Sequence, residues 1–252
     1  MQLKDKLVVV TGAGKGIGRA MAQTFAEQGA NLALLDVNES DLQQTLTACK
    51  AYPVNAKTYH CNVAAESDVV SSFAKIAADF ARFDILINNA GILRDGMLVK
   101  QEGEHFKKLS LSQWQAVIDV NLTGVFLCGR EAAEHMIKFA NGGVIINLSS
   151  ISRAGNIGQS NYAAAKAGVA ALTVVWAKEL ARHGIRTGAI APGFIHTEIL
   201  NAMPEQILQN LLTQVPLRRG GQPDEVAKTA LFIAENDYFS GRVIELDGGL
   251  RL

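Results

Sequence analysis

The sequence has no net charge, no long apolar run and few cysteines, and each of these absences narrows the possible functions. Its 24 basic and 24 acidic residues cancel, which argues against broad electrostatic capture of nucleic acid or of an anionic membrane. No uninterrupted apolar run reaches the roughly 18 residues that a membrane span needs. The first residues show no signal-peptide pattern. We therefore expect a cytoplasmic protein with neither a nucleic-acid nor a membrane partner.

The three cysteines, Cys49, Cys61 and Cys128, do not have the Cys-x-x-Cys spacing of redox or zinc motifs. They are predicted to be buried thiols in a reducing compartment. A catalytic cysteine is disfavoured because the sequence pairs none of them with a histidine. The five histidines also lack the spacing of metal ligands, so no metal site is expected.

The composition and the periodicity together predict the fold class. Hydrophobic residues make up 48% of the 252 residues, which is enough for a full core. Short apolar runs alternate with amphipathic segments along the chain. This alternation predicts an α/β, doubly wound Rossmann fold with a seven-stranded parallel sheet and helices on both faces. No linker divides 1–252, so a single domain is expected. The predicted strands are 6–12, 31–37, 57–63, 84–91, 142–150, 185–193 and 243–249.

The connecting segments are predicted to be mostly helical. The expected helices after the second strand are 39–50, 66–82, 112–139, 160–182 and 223–235. The polar stretch 92–110 is predicted to be an exposed loop, and a helical stretch opening at Thr197 is predicted to cover the crevice. Asn121 lies inside the helix predicted at 112–139. Because asparagine is unfavourable inside a helix, it marks a kink or a bound water there.

A glycine-rich turn follows the first predicted strand and leads into a helix. Its glycines are Gly12, Gly16 and Gly18, and Lys15 and Ile17 lie between them. Glycines let the backbone approach a pyrophosphate, and the N–H groups at the start of a helix can bind it. The pattern predicts a dinucleotide-binding loop; the alternative is a tight turn without a ligand.

Asp36 ends the second predicted strand, eighteen residues after Gly18. A carboxylate there can accept hydrogen bonds from both ribose hydroxyls of a dinucleotide. It would repel a 2′-phosphate, since two unit charges 4 Å apart interact by about 4 kcal/mol near a protein surface. Asp36 therefore favours NAD(H). Lys15 could offset the repulsion, which leaves NADP(H) open.

Two further strand ends carry candidate cofactor contacts. Asn62 and Val63 end the third predicted strand, where the side-chain amide could meet the adenine edge. Asn89, Ala90 and Gly91 end the fourth, where small and polar residues let the backbone lie against a cofactor. In both places the alternative is an ordinary turn.

Ser149, Tyr162 and Lys166 are the candidate catalytic residues. Tyr162 and Lys166 are four residues apart in a predicted helix and therefore share one face. A tyrosine has a pKa of about 10, and a fixed ammonium nearby is expected to lower that pKa toward the working range. Ser149 closes a buried strand. Such a trio could move a proton to or from a carbonyl or alcohol oxygen.

These motifs in this order resemble the short-chain dehydrogenase/reductase family. They are T-G-x3-G-x-G at 11–18, N-N-A-G at 88–91, a serine thirteen residues before the tyrosine of Tyr-x3-Lys, and P-G at 192–193. The resemblance covers Lys6 to Gly249. Within the family, the phrases NYAAAKAGV and IAPGFIHTE and the final DGG are most similar to bacterial 3-oxoacyl-carrier-protein reductases.

The resemblance implies roles for individual residues. Tyr162 would be the general acid/base, and Lys166 would lower its pKa and hold the nicotinamide ribose. Ser149 would orient the substrate oxygen, and Asn121 would anchor a water in a proton relay to Lys166. The reaction would be hydride transfer between nicotinamide and a ketone or secondary alcohol. The implied cofactor contacts are Gly12, Lys15, Gly16, Ile17, Gly18, Asp36, Asn62, Val63, Asn89, Ala90, Gly91, Tyr162, Lys166, Pro192, Gly193, Ile195 and Thr197.

The chain also departs from those reductases in ways that keep the substrate open. They typically use NADP, whereas Asp36 favours NAD. The segment 92–110 is longer than usual, and basic residues cluster only at Lys107-Lys108 and Arg218-Arg219. An acyl thioester of a carrier protein or of coenzyme A is one substrate class. An NAD-dependent 3-hydroxyacyl-CoA or secondary-alcohol dehydrogenase is the alternative, and a catalytically silent dinucleotide-binding regulator is another. The family likeness and apolar helix faces predict a homotetramer.

Overall fold

Seven parallel strands form the central sheet of the computed structural model, which describes residues 1–201 and 204–251. The strands in chain order are β1 (Leu7–Thr11), β2 (Asn31–Asp36), β3 (Ala56–His60), β4 (Ile85–Asn88), β5 (Val99–Glu102), β6 (His105–Lys108), β7 (Gly143–Leu148), β8 (Ile185–Pro192) and β9 (Arg242–Leu246). The sheet has the order β3-β2-β1-β4-β7-β8-β9, and β5 and β6 form a separate antiparallel hairpin.

Helices cover both faces of the sheet. They are α1 (Gly16–Glu27), α2 (Glu39–Cys49), α3 (Glu66–Phe80), α4 (Leu111–Ile118), α5 (Gly124–Lys138), α6 (Ser160–Leu180), α7 (Glu198–Asn201), α8 (Glu205–Thr213) and α9 (Pro223–Glu235). Helices α1, α2 and α9 pack on one face, and α3, α5 and α6 pack on the other. The predicted doubly wound Rossmann fold is confirmed.

Strand β1 shows why the sheet needs two helical layers. All five of its residues are buried. Because successive side chains of a strand point to opposite faces, Val8 and Val10 enter the core beneath α1 and α9. Leu7 and Val9 enter the core beneath α3 and α5. A continuous apolar run of this kind is typical of a parallel strand covered on both sides.

Side chains at the first turns set where several helices begin. Asn38 accepts a hydrogen bond of 3.1 Å from the Asp41 N–H at the start of α2. Ser110 and Gln113 form a reciprocal capping box at the start of α4. These bonds satisfy N–H groups that a helix cannot pair internally. At α1, by contrast, the N-cap Lys15 makes no side-chain cap, and the first turn contains no acidic residue.

The segment 92–110, predicted to be a loop, contains the β5–β6 hairpin instead. All eight hairpin residues are exposed, so the segment has no alternation of apolar and polar residues that would predict strands. Gly103, in the two-residue turn, has φ +64°, a conformation that suits hairpin turns and favours glycine. The hairpin is therefore fixed by its turn and its cross-strand pairing rather than by a buried face.

The helix predicted at 112–139 is interrupted. A π-helical turn at Asp119–Thr123 separates α4 from α5 and contains Asn121. The Gly124 N–H bonds to the Asp119 carbonyl, five residues earlier. The irregularity expected at Asn121 is thus present, as a π turn, which is a common cause of helix distortion.

The strand order places a ligand crevice at one edge of the sheet. From β1 the chain winds in one direction through β2 and β3, and then resumes on the other side of β1 with β4. Ligands of open α/β sheets bind at the carboxyl ends of strands where the order reverses in this way. The turns after β1, β4 and β7 lie at that edge. None of the helices within 1–201 and 204–251 is long and apolar enough to span a membrane.

Candidate active site

The glycine turn after β1 has no space for a side chain at Gly12 or at Gly18. A Cβ at Gly18 would lie 2.1 Å from the Gly12 carbonyl oxygen. A Cβ at Gly12, which has φ +63°, would lie 2.8 Å from the Ala90 Cα. The turn therefore folds tightly over the start of α1 and against the end of β4. It leaves the first N–H groups of α1 free of side-chain caps, as a pyrophosphate site requires.

Asn89 and Thr11 hold this turn against the end of β4. The Asn89 amide donates hydrogen bonds to the carbonyls of Thr11 and Gly12, at 3.0 and 2.9 Å. The Thr11 hydroxyl accepts from the N–H groups of Asn89 and Ala90, at 3.0 and 3.1 Å. Thr11 was not among the predicted site residues, although it opens the T-G-x3-G-x-G motif. The Asn89 side chain thus positions the glycine turn.

Asp36 lies beside the same turn. One carboxylate oxygen accepts a hydrogen bond from the Gly14 N–H at 3.0 Å, and the other accepts from the Asn38 N–H at 3.1 Å. Arg19 binds the Gly14 carbonyl from the other side, and the Lys15 side chain is exposed. The end of β2 therefore presents a carboxylate next to the glycine turn.

Asn62 and Val63 lie between β3 and α3, just beyond the strand. The Asn62 side chain accepts from the Ala64 N–H at 3.1 Å, so it already stabilises a turn. Val63 is buried and packs against Gly124, where a Cβ would lie 2.9 Å from the Val63 Cγ2. The Asn62 side chain is exposed and stabilises a turn, as the alternative interpretation expects.

Asn121 uses its side chain to fix the segment that follows Gly91. Its Oδ1 accepts from the Ile92 N–H at 2.8 Å, and its Nδ2 donates to the Ile92 carbonyl at 3.0 Å. The side chain is fully buried. A water anchored at Asn121, as the family resemblance implies, would therefore use the backbone of the π turn.

Ser149 and Lys166 are joined at the end of β7. The Ser149 hydroxyl donates a hydrogen bond of 2.8 Å to the Lys166 carbonyl. The Lys166 ammonium donates one of 2.7 Å to the Leu148 carbonyl. Both side chains are buried. Burial lowers the pKa of Lys166 to about 8, because the charged form is poorly solvated there.

Tyr162 projects from the same helix, with the Lys166 Nζ 5.6 Å from its ring centroid. Burial raises the pKa of Tyr162, a hydrogen bond with Ser150 lowers it, and the charge of Asp95 raises it. The net pKa is raised, so the expectation of a lowered value is wrong for this structure. The physical reason is desolvation, which disfavours the phenolate and outweighs the neighbouring groups. Ser150 and Asp95 were not among the predicted site residues.

The chain after β8 lies next to the glycine turn. Gly193 donates a backbone hydrogen bond of 2.9 Å to Leu246, directly after Pro192 ends the strand. Ile195 is buried. Thr197 faces the glycine turn, since its Cγ2 would lie 3.4 Å from a Cβ at Gly16. The helix α7 begins at the next residue, as predicted; Ala202 and Met203 lie outside the described residues.

The cysteines differ from the candidate catalytic residues in being buried thiols with raised pKa values. The three cysteines are free and buried, as predicted, and burial raises the pKa of Cys49 to about 11. They are therefore thiols rather than thiolates at neutral pH. In the part of the chain that the structure describes, no group of three or more histidine, cysteine or acidic residues could hold a metal ion.

Comparison with known proteins identifies the family. A family model described as enoyl-(acyl-carrier-protein) reductase, of the short-chain dehydrogenase/reductase type, matches residues 12–251. The chain is 40% identical over 252 residues to the 3-oxoacyl-[acyl-carrier-protein] reductase FabG of Thermotoga maritima. The alignment covers 99% of this chain and 99% of that protein. The protein belongs to the short-chain dehydrogenase/reductase family.

Other relatives in this family agree with that assignment. The FabG of Staphylococcus aureus strain N315 is 39% identical over 249 residues, which is 97% of this chain and 98% of that protein. The 3-oxoacyl-[acyl-carrier-protein] reductase of a Synechocystis species is 41% identical over 257 residues, with 98% of both covered. As a short-chain dehydrogenase/reductase, this protein is an oxidoreductase that acts on CH–OH or C=O groups with a nicotinamide dinucleotide. The predicted family and reaction class are confirmed.

Proposed function

We propose that the protein reduces the 3-oxo group of an acyl thioester to a 3-hydroxyl group, with NADH as the preferred cofactor. The observation that carries the proposal is the cluster of proton-bearing groups at the end of β7. There Tyr162 and Lys166 share one face of α6, next to Ser149 and Ser150. The relatives named above, which are 3-oxoacyl reductases, support the thioester substrate.

The glycine turn fits a nicotinamide dinucleotide. A Cβ at Gly18 would fill the space that the close turn needs, and the start of α1 offers N–H groups without side-chain caps. We assign the pyrophosphate to these groups, with Ile17 at the first turn of α1. Ala90 and Gly91, with Pro192, Gly193, Ile195 and Thr197, are proposed to line the nicotinamide half of the site. The bound cofactor supplies the hydride.

Asp36 supports NAD(H) over NADP(H). Its carboxylate is fixed by the Gly14 and Asn38 N–H groups, so it cannot turn away from a ribose phosphate without losing both bonds. A 2′-phosphate there would meet a fixed negative charge. Lys15, the cation within the glycine turn, has an exposed side chain and does not pair with Asp36, so its compensation would be weakened by solvent.

The proposed catalytic roles follow from what each side chain can donate, which is a proton or a hydrogen bond. Tyr162 is proposed to donate its phenolic proton to the oxygen of the substrate carbonyl as that oxygen gains charge. A raised pKa keeps the phenol protonated at neutral pH, which suits an acid in the direction of reduction. Ser149 would orient the carbonyl by exchanging its bond to Lys166 for one to the substrate. Lys166 supplies positive charge beneath the phenol and is proposed to bind the nicotinamide ribose.

An NAD-dependent 3-hydroxyacyl-CoA or secondary-alcohol dehydrogenase is the second candidate, and Asp36 is the observation that favours it. It would use the same site in the direction of oxidation. A silent regulator is disfavoured, because each proposed catalytic position holds a competent side chain.

The quaternary structure is proposed from exposed apolar side chains. Phe126 and Ile137 on α5, and Val174 and Val175 on α6, are all at least 39% exposed. Helix α6 carries apolar residues around its whole circumference. We propose that these faces pack between copies in a homotetramer, with the chain acting as one catalytic domain. Light scattering that gives a monomer would refute the tetramer.

We also propose a cytosolic location, because the three cysteines are buried free thiols, which suits a reducing compartment.

The proposed function is tested by initial rates at 340 nm with acetoacetyl-CoA, with NADH and NADPH in parallel. We expect turnover with both and a higher kcat/KM with NADH. Crotonyl-CoA, which offers a C=C bond in place of the 3-oxo group, serves as the control and should not react. Turnover of crotonyl-CoA alone, or of neither thioester, would overturn the proposal.

A further inference from the structure

Asn161, the residue before Tyr162, joins three separate segments of the chain. Its side chain is fully buried. The amide nitrogen Nδ2 donates hydrogen bonds to the carbonyls of Arg94 and Gln113, at 3.0 and 3.2 Å. The amide oxygen Oδ1 accepts one of 2.8 Å from the Tyr162 N–H. None of the roles assigned above accounts for this side chain.

The bond to Tyr162 takes the place of a missing helix cap. Tyr162 lies in the first turn of α6, where the backbone N–H groups have no partner within the helix. The N-cap residue Gln159 makes no side-chain cap. Asn161 therefore satisfies a backbone group that the N-cap leaves unpaired, and it does so at the residue that carries the phenol.

The two bonds from Nδ2 fix the start of α6 to its neighbours. Arg94 belongs to the segment that follows β4, and Gln113 lies in the first turn of α4. An asparagine amide has two N–H groups to donate, so these two carbonyls use its full donor capacity. The start of α6 cannot move away from either segment without leaving the buried amide of Asn161 unpaired, which is costly.

Two further hydrogen bonds join α6 to the segment after β4. The Gly96 N–H donates one of 2.8 Å to the Gly158 carbonyl, and the Gln159 side chain donates one of 2.8 Å to Asp95. These four residues are less buried than Asn161. Because water competes with hydrogen bonds at exposed positions, the buried amide of Asn161 is expected to be the strongest of these links.

Tyr162 is thus held from both sides along α6. On its C-terminal side, Lys166 and Ser149 fix the helix to the end of β7. On its N-terminal side, Asn161 fixes the helix to α4 and to the segment after β4. A proton donor must lie within hydrogen-bond reach of the oxygen that it protonates, and a misplacement of about 1 Å can cost about 10²-fold in rate.

We propose that Asn161 is a positioning residue for the reduction, which acts by holding the Tyr162 phenol at the substrate oxygen. Asn161 itself exchanges no proton with the substrate, because its amide is buried and bonded to backbone groups. The inference rests on the proposed function, since it requires Tyr162 to be the proton donor.

A double-mutant cycle on the reduction of acetoacetyl-CoA tests the inference. Asn161→Ala should lower kcat about tenfold or more, with little change in the Kd for NADH. In the Tyr162→Phe background the same substitution should lower kcat by less than about twofold, because no phenolic proton remains to be positioned. A residue that only supports the fold would lower kcat by the same factor in both backgrounds.

Two further variants separate positioning from stability. The Asn141 amide also donates two hydrogen bonds, to the Phe83 carbonyl at 3.0 Å and to Asp84 at 2.9 Å, but at the amino ends of β4 and β7. Asn141→Ala is therefore the matched control and should leave kcat unchanged even if the melting temperature falls. If Asn161→Ala does not fold, Asn161→Asp takes its place in the cycle with the same expected result. It keeps the size of the side chain but places an oxygen against the two carbonyls.

Two outcomes would overturn the inference. The first is a kcat in the Asn161 variant that stays within about twofold of the wild type, and the second is an equal loss in both backgrounds. In both cases the wild type still reduces the thioester and Tyr162→Phe is still impaired, so the proposed function stands. A wild type without turnover, or full activity in Tyr162→Phe, would overturn the proposed function and the inference with it.

Discussion

Ser149 and Lys166 form a hydrogen bond that fixes helix α6 to the end of strand β7. The Ser149 hydroxyl donates to the Lys166 carbonyl at 2.8 Å, and the Lys166 ammonium donates to the Leu148 carbonyl at 2.7 Å. Two side chains thus link strand and helix in both directions. Tyr162, one turn earlier on the helix, is positioned by this link. The proposed proton donor is therefore positioned by the carboxyl end of β7.

Replacing Asp36 should change the choice of cofactor. In Asp36→Asn the negative charge next to the proposed ribose site is removed while one hydrogen-bond acceptor remains. We expect the ratio of kcat/KM for NADPH to that for NADH to rise by about tenfold or more. Asp224→Asn, which removes an exposed carboxylate at the start of α9, is the matched control. An unchanged ratio in Asp36→Asn would show that another residue selects the cofactor.

Adding one methyl group at Gly18 should weaken cofactor binding. In Gly18→Ala the new Cβ would lie 2.1 Å from the Gly12 carbonyl oxygen and 2.6 Å from the Asn89 amide nitrogen, so the turn must shift. Because pyrophosphate binding needs this close geometry, we expect the Kd for NADH, measured by fluorescence, to rise about tenfold or more. Wild-type affinity with an unchanged melting temperature would contradict the assignment of the turn.

The sequence predicted the sheet and the positions of its strand ends because both depend on local patterns. The apolar runs of β1 and β4 are buried on both faces, and a glycine or a small polar residue marks each end. The β5–β6 hairpin could not be predicted in this way, since its residues are all exposed and no periodicity distinguishes them from a loop.

The candidate site was likewise predictable only in part. The identities of Tyr162, Lys166 and Asp36 follow from spacing along the chain. The contacts of Thr11 with Asn89 do not, because they join residues 78 positions apart. The direction of the Tyr162 pKa shift was also mispredicted, since it depends on how much protein surrounds the ring. Burial is a property of the folded chain that the Tyr-x3-Lys spacing does not contain.

The rate of reduction should decline as the pH rises through about 8. Burial lowers the pKa of Lys166 to about 8, so its ammonium is lost in that range, whereas the raised pKa of Tyr162 keeps the phenol protonated. The measurement is kcat with saturating NADH and acetoacetyl-CoA between about pH 6 and pH 10, with circular dichroism at each pH as the control for folding. A rate that stays constant to pH 10 would show that the Lys166 charge does not contribute.

Asp84 should stabilise the fold in a pH-dependent way. Burial raises the pKa of Asp84. The hydrogen bonds from Arg82 and the Leu7 N–H, together with the charges of Arg82 and Lys6, lower it by more, so the net pKa is below its usual value. The unfolded pKa is about 3.9. The contribution of Asp84 to stability is therefore present above about pH 4 and is lost as the pH falls through the folded pKa.

Urea unfolding of Asp84→Asn tests this account. We expect a loss of roughly 2 to 4 kcal/mol at pH 7, because Arg82 and Lys6 lose their buried partner. The difference from the wild type should shrink below about pH 4. Asp224→Asn, at an exposed position, should change stability by less than about 1 kcal/mol. A difference for Asp84→Asn that does not vary with pH would contradict the role of its charge.

The most direct test of the central claim is the initial rate of acetoacetyl-CoA reduction by Tyr162→Phe, which removes only the phenolic oxygen. We predict that kcat falls by about 10² or more, while the Kd for NADH and the melting temperature stay close to the wild-type values. Tyr238→Phe, at a fully exposed tyrosine, should keep the wild-type rate. Full activity in Tyr162→Phe would contradict the claim that Tyr162 donates the proton.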